Sequence, residues 1–489
     1  MSKSIVRRFL PILGSRVIGV LAMFLATPLI VRILDSARYG DYAFVLSLLG
    51  IIMLFVDAGV YDGIRKYLKE SGRSGAWPDR VFGFYSRVAF VLVALIVVVL
   101  VGLVQTGVVR TVLGERFELY VYLVALVVIT KQAFAIARST LMGFDREDVS
   151  ESLQVSTSLI TVGLGVTLLL FGFGVPGLIA ARACAYGIAA FGGFVMLARY
   201  VEYRHVVRSS PEEFPGGKLL SFNLMSVLLF ALYLSIIHVD VILIQFFYGS
   251  EPTGHYKAAL NLAEFVWFVP RIVQVTLVHS TSELWSEERD ETITELSARV
   301  TRYTLLFATL LVIGLGALAE PTVAVYYGEG FSPAVTPLVI LLPGALGFAV
   351  ARPILAIGQG KGEFRYLVYA TGAASVLNLV LNLLLIPRFG IAGAAMATST
   401  GYFSMFVFHV GGARAIGFDP IADLRLPNVV ATIAVAAVAI FVFAGLVPSV
   451  PLSLLVVPPV GLVIYTVVAV LAGAVSIEEL RELRDRLPT

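Results

Sequence analysis

Cysteine is almost absent from this chain of 489 residues: Cys184 stands alone, inside an apolar run. One thiol excludes an intrachain disulfide and a cysteine-built metal site, and its setting predicts a small core residue. Charge is nearly as scarce. Asp, Glu, Lys and Arg make up 14% of the chain, where a soluble protein carries roughly a quarter. With 58% hydrophobic residues and a mean hydropathy of +0.91, the chain has too little polar surface to dissolve in water. Catalytic signatures are missing as well. No Walker, HExxH or GxSxG motif occurs, which argues against direct ATP drive and against the hydrolases those motifs mark. The GxG at Gly163 and Gly165 has no nucleotide-binding context. The chain is therefore expected to be no enzyme, with no catalytic residue, metal, cofactor or nucleic-acid partner.

What the chain does have is apolar runs. They fall at 10–31, 42–61, 81–104, 119–142, 153–173, 175–199, 219–247, 256–280, 300–319, 334–357, 364–386, 390–412, 427–447 and 452–474. Each approaches the ~20 residues that cross a bilayer as a helix. No connection between them is large enough for a soluble domain. The first run follows Lys3, Arg7 and Arg8 like a signal peptide, but it is too long for a cleavable one and reads as a membrane helix. The predicted fold is an all-α membrane protein of about 14 transmembrane helices.

Basic residues gather in alternate connections. Arg65, Lys66, Lys69, Arg146, Arg204, Arg208, Lys361, Arg365, Arg414 and Arg425 fall on one side; Arg32, Arg38, Arg110, Arg116 and Arg388 fall on the other. The positive-inside rule then places both termini in the cytoplasm of a cell with this chain in its plasma (inner) membrane. Asp35 and Asp41 fall in one short outer loop, where turn chemistry explains them. In the tail, Ile477, Leu480, Leu483 and Leu487 recur at helical spacing, which fits an interfacial helix or a frayed solvated end.

The chain also repeats itself. Tyr39-Gly40-Asp41-Tyr42-Ala43 recurs as Thr253-Gly254-His255-Tyr256-Lys257-Ala258, and Phe173-Gly174-Val175-Pro176-Gly177 recurs as Phe389-Gly390-Ile391-Ala392-Gly393. Arg138, Leu141 and Gly143 recur as Arg352, Leu355 and Gly358 at the same offset. Six runs separate the copies, so two six-helix lobes of like orientation are expected, related by an axis along the membrane normal. We divide the chain into an N-lobe at 1–203, a linker at 204–218, a C-lobe at 219–412, two further helices within 413–474, and a cytoplasmic tail at 475–489.

Asn378 and Asn382, followed by Leu385-Ile386-Pro387-Arg388-Phe389-Gly390-Ile391-Ala392-Gly393, resemble the hairpin between helices eleven and twelve of polysaccharide exporters. Leu34-Asp35 with Tyr39-Gly40-Asp41-Tyr42 resembles their first outer loop. These proteins belong to the multidrug/oligosaccharidyl-lipid/polysaccharide exporter superfamily, among them the Wzx-type and lipid II flippases. The resemblance implies a flippase that carries polyprenyl-linked oligosaccharide from the cytoplasmic to the outer leaflet for cell-envelope polysaccharide such as O-antigen. It implies lobes that rock about a central cavity in which cations meet the pyrophosphate. Expected partners are the lipid-linked oligosaccharide, membrane lipids and glycan-assembly enzymes, with the chain itself a monomer.

Ionisable groups inside membrane helices cost on the order of 3 kcal/mol near the centre, so they face a cavity or a partner. Here cations outnumber acids, which suits an anionic cargo. Arg16, Lys131, Arg138, Arg182, Arg271 and Arg352 are the candidate cationic cavity residues. Arg138 and Arg352 lie near helix ends, where snorkelling to headgroups is the competing explanation. Asp57 and Arg271 stand one repeat apart and form a candidate gate, against the alternative that each pairs within its own lobe. His238, Asp240 and Glu264 are candidates for ion coupling, against structural hydrogen bonding.

Rival functions differ in what they require. A cation-coupled multidrug exporter of the same superfamily favours acidic cavities and twelve helices. A membrane glycosyltransferase or polymerase needs acids on sizeable outer loops, which are short here. A scaffold without transport would leave the repeat and the intramembrane charges without a purpose.

Overall fold

The computed structural model describes residues 3–70, 75–207, 214–221, 224–287, 289–476 and 478–479. Arg16 lies where only helical backbone is described, so its side chain falls outside the described residues. Arg208 in the linker and Ile477, Leu480, Leu483 and Leu487 of the tail lie outside the described residues.

The described chain is helical, without a strand. Its first half runs α1 (Lys3–Asp57), α2 (Val60–Leu68), α3 (Trp77–Gln105), α4 (Val108–Val112), α5 (Arg116–Gly143), α6 (Glu147–Leu170), α7 (Gly174–Leu197), α8 (Arg204–Val207), α9 (Gly216–Ser221) and α10 (Leu224–Tyr248). The second half runs α11 (Ser250–Glu264), α12 (Phe268–Ser286), α13 (Asp290–Ala317), α14 (Ala319–Tyr327), α15 (Val335–Lys361), α16 (Phe364–Ala415), α17 (Leu426–Leu446) and α18 (Val450–Leu471).

Among the described residues, 12 stretches are long and apolar enough to cross a membrane. Two of them hold two predicted runs each. α1 has 55 residues and α16 has 52. At ~1.5 Å per residue either would extend about 80 Å, against a hydrocarbon core of ~30 Å. Each is broken at one residue: Asp35 (φ 67°, ψ 174°) and Gly390 (φ 57°, ψ −134°). Past the first break, the Asp35 carboxylate accepts the Arg38 N–H at 2.9 Å and caps the new helix. At the second, the halves fold back on one another. Thr371 meets His409 at 3.3 Å, Asn378 donates to Ala397 O at 3.4 Å, and a Cβ on Gly393 would lie 2.2 Å from Leu385 O. All three pairings centre close to Gly390. Its repeat counterpart Gly174 also has a left-handed φ, 55°. Two breaks in 12 stretches recover the fourteen runs.

The chain forms two compact units, Met1–Gly254 and His255–Thr489. In the first, α7 packs on α5 and α6, while α1 packs on α6 and α10. Val60, Ile64, Tyr85, Ala137, Leu141 and Leu197 are buried in one of its cores. In the second, α15 packs on the α16 hairpin, α12 and α13, and the α17–α18 pair leans on α13. Close approach is bought with glycine: a Cβ on Gly344 would lie 2.3 Å from Ser399 Cα, and one on Gly347 2.5 Å from Phe403 Cα.

Two sequence expectations need correction. Cys184 is exposed on α7 rather than part of the core, because it shares a helix face with exposed Ile188 and Phe191, four and seven residues on. Asp41 is no loop residue: the turn is completed at Asp35, and Asp41 is fully buried inside the helix that follows.

Candidate functional site

In the first unit, one cluster joins α1, α2, α5 and α7. α1 ends at Asp57 because Ala58 (φ 38°) and Gly59 (φ 81°) leave helical space. The Asp57 carboxylate then accepts the Tyr61 N–H at 3.3 Å. Lys131 on α5 and Asp57 attract one another, while Lys131 and Arg182 on α7 repel. The Arg182 guanidinium donates to Tyr42 Oη at 3.2 Å and also reaches Tyr186, one turn along its own helix. Lys131, Arg182 and Asp57 are all half-buried. Lys131 thus has Asp57 as a counter-charge, whereas Arg182 meets neutral phenols and the like charge of Lys131, which gives the α7 side of the cluster positive character. Beside Lys131, Gln132 is 1% exposed, and neither of its amide atoms has a hydrogen-bond partner among the described residues. An unmade bond of this kind costs about 1–3 kcal/mol.

Arg138 is answered differently. It donates to Glu151 on α6 at 2.7 Å and lies over the Tyr61 ring, 5.8 Å from its centroid. Glu151 is buried, so the two charges neutralise one another away from water.

In the second unit, α11 ends at Glu264, a 3₁₀ turn spans Phe265–Trp267, and α12 resumes at Phe268. Pro270 supplies no N–H for the carbonyl four residues earlier, which explains the break. Glu264 therefore sits at a discontinuity, with Oε1 buried. Arg271 follows the proline and is exposed. Arg352 on α15 is buried; it donates to Gln274 Oε1 at 2.9 Å and lies over Phe348 at 4.7 Å and Trp267 at 5.3 Å. These contacts hold a guanidinium through an amide and two ring faces.

The proposed coupling residues do not fall in one unit. His238 and Asp240 lie on α10 in the first, where His238 packs against Gly50 and Asp240 is fully buried, accepting the Val241 N–H at 2.7 Å. Glu264 lies in the second, as does Arg271, whereas Asp57 lies in the first.

The repeat glycines meet. A Cβ on Gly40 would lie 1.8 Å from Ser250 O, and one on Gly254 would lie 2.0 Å from Ser36 O. Next to this crossing, Asp41 accepts Ser250 Oγ at 2.5 Å and Arg116 Nη2 at 3.0 Å, while Gln245 donates to the same Ser250 hydroxyl at 3.0 Å.

Sequence reasoning missed Tyr42, Tyr186, Glu151, Gln274 and the Asp41–Ser250–Arg116 contact. Tyr42 stood in a motif already singled out, and Tyr186 is four residues from Arg182, a spacing that puts both on one helix face. Glu151 and Gln274 carried no such signal, since their partners come from other helices.

The model of a family described as "Polysaccharide biosynthesis protein" matches residues 5–270. A probable low-salt glycan biosynthesis flippase, Agl15, of Haloferax volcanii is 23% identical over 399 residues, covering 81% of this chain and 80% of that protein. Lipid II flippase MurJ of Bacillus subtilis is 26% identical over 246 residues, 45% of each chain. Among solved structures, lipid II flippase MurJ in an inward closed conformation superposes with a TM-score of 0.76 at 13% identity, covering 98% of this chain and 100% of that one. An inward-facing multidrug transporter of the MATE family superposes with a TM-score of 0.64 at 16% identity, over 81% of this chain and 94% of that one. At these identities the structural likeness speaks for the fold: an all-helical, multi-pass membrane architecture.

Proposed function

The chain belongs to the polysaccharide biosynthesis protein family, and from that premise we propose that it is a flippase for polyprenyl-linked oligosaccharide bearing a phosphate or pyrophosphate. The relatives' names support the activity. The observation that carries the chemistry is that Lys131 on α5 and Arg182 on α7, two helices packed on one another, repel inside the membrane-spanning part of the first unit. Like charges brought together in a low dielectric repel strongly, and an anion received between them turns that cost into attraction. Guanidinium grips phosphate oxygens in a fork and ammonium supplies a compact charge.

We assign cargo recognition to Lys131 and Arg182 in the first unit and to Arg271 and Arg352 in the second, with Arg16 as a further candidate. Arg138, neutralised by Glu151, is left to structure. Transport is alternating access of two lobes, 1–203 and 219–412, in a cell membrane with both termini cytoplasmic. Asp57 and Arg271 serve as a state-dependent gate, and the Gly40–Gly254 crossing parts when the opposite side opens. His238, Asp240 and Glu264 are candidates for coupling transport to an ion; equal pH dependence of Asp240→Asn, Glu264→Gln and the parent protein would end that assignment. Glycan-assembly enzymes supply and consume the cargo, and the chain acts as a monomer.

The test is leaflet transfer of defined polyprenyl-pyrophosphoryl oligosaccharides in proteoliposomes. Lys131→Gln with Arg182→Gln should abolish transfer and weaken binding of the pyrophosphate cargo. Transfer at the parent rate by that double variant would overturn the reading, as would sugar transfer catalysed by the purified chain.

A further inference from the structure

We propose a divalent-metal site suited to zinc, built by Asp79, Glu202 and His205 where the chain leaving α7 straps onto α3. It lies outside the cargo cluster and does not rest on the flippase reading. The three side chains each offer one ligand atom, and these atoms lie within 4.8 Å of one another. His205 Nε2 and Glu202 Oε2 are 3.7 Å apart. A tetrahedral zinc ion with bonds of ~2.0–2.1 Å separates its ligand atoms by about 3.4 Å, so small side-chain adjustments close the site. One imidazole and two carboxylates form a donor set that zinc accepts, with water in the fourth position.

Side chains of α3 hold the main chain of the strap and so present these donors. Asp79 stands in the first turn of α3, and its Oδ1 accepts the Glu202 N–H at 2.7 Å. Arg87, two turns further along α3, donates to His205 O at 2.7 Å. Between them the strap rests directly on the helix: a Cβ on Gly83 would lie 2.2 Å from His205 O. Further on, Phe214 packs on Trp77 and Phe84 with ring centroids 5.4 and 5.3 Å away, and Tyr85 donates to Leu219 O at 3.0 Å. His205 is thus tethered through its own carbonyl while its imidazole stays available to a metal.

Asp79 and His205 are half-buried and Glu202 is exposed, so two donors wait in place while the third meets the ion from solvent. Glu202 is also paired with Arg204. Both partners of that pair are exposed, and exchanging a solvated pair of this kind costs little. A bound ion would staple the connection after α7 to α3 and make it part of the first unit.

The experiment uses the full chain in detergent, stripped with EDTA, dialysed and titrated with zinc chloride. One equivalent should bind, raise the melting temperature, and show one imidazole and at least two oxygens by X-ray absorption. Asp79→Asn keeps an oxygen for the Glu202 N–H, and His205→Gln leaves the carbonyl held by Arg87. Both should therefore melt like the parent in EDTA yet bind zinc at least about tenfold more weakly. Parent-like zinc affinity in either variant, a metal shell without imidazole, or no saturable binding by the parent would overturn the site.

Discussion

Two regions of this molecule treat an arginine in opposite ways. Near the tail, Arg302 on α13 is completely buried and answered by carboxylates: Asp423 at 2.9 Å, and Glu479, which Arg425 also contacts at 3.2 Å. Ser476 and Glu479 complete that corner as a reciprocal helix cap, with the Ser476 N–H bound to Glu479 at 2.9 Å and the Glu479 N–H bound to Ser476 Oγ at 3.2 Å. Elsewhere among the helices, Arg182 is held by phenols, and Arg352 meets an amide and aromatic faces. Acids neutralise a guanidinium, whereas neutral groups only aim it. The first arrangement holds helices together; the second leaves Arg182 with its positive potential, which the proposed recognition of an anionic cargo requires.

Stranding a charge should break the contrast most visibly. Replacing Asp423 and Glu479 by alanine together leaves Arg302 buried without its acids and should cost about 3–5 kcal/mol, read as loss of thermal stability in detergent. The Glu479 carboxyl also carries a pH signature. Burial pushes its pKa up, but the Ser476 N–H, Arg302 and Arg425 outweigh burial and hold it below the ordinary 4.5. A depressed carboxyl stabilises fully above its ordinary value and loses that contribution as pH falls beneath it. The melting difference between the parent and Glu479→Gln should therefore shrink on acidification below about 4.5.

The interior cations should behave the other way. Arg182→Gln and Arg352→Gln should lower oligosaccharide transfer by at least about tenfold, the loss of one charge-assisted phosphate contact, while melting changes little. A large fall in stability with normal transfer per folded molecule would erase the distinction. Glu151→Gln, which leaves Arg138 facing an amide, should cost about 1–3 kcal/mol. A double-variant cycle with Arg138→Gln should recover part of that loss. Smallest of all should be Arg138→Lys. It keeps the charge opposite Glu151 and should stay within about 1 kcal/mol of the parent, with near-parent transfer.

Much of the fold was legible in one dimension. Apolar runs marked the helices because a bilayer demands ~20 consecutive apolar residues whatever lies beside them. Gly174 and Gly390, paired by the repeat, both adopt the left-handed backbone that a tight hairpin requires. Asp41 was misread because its neighbours, Tyr39 and Gly40, look like a turn; Gly40 instead serves a helix crossing, and Asp41 caps that contact through Ser250 and Arg116. The candidate site was legible as charges out of place, but not as pairs. Nothing in the spacing of Arg138 and Arg352 says that one faces Glu151 and the other Gln274.

By itself, the sequence determined that this chain lives in a membrane, roughly where its long helices lie, and that its cations exceed its acids there. Those properties follow from each segment's own exchange with lipid and water. Tertiary structure alone decided which cations are neutralised and which are merely held in position, because that depends on side chains from separate helices. Such partners are chosen by packing, and packing leaves no period in the sequence.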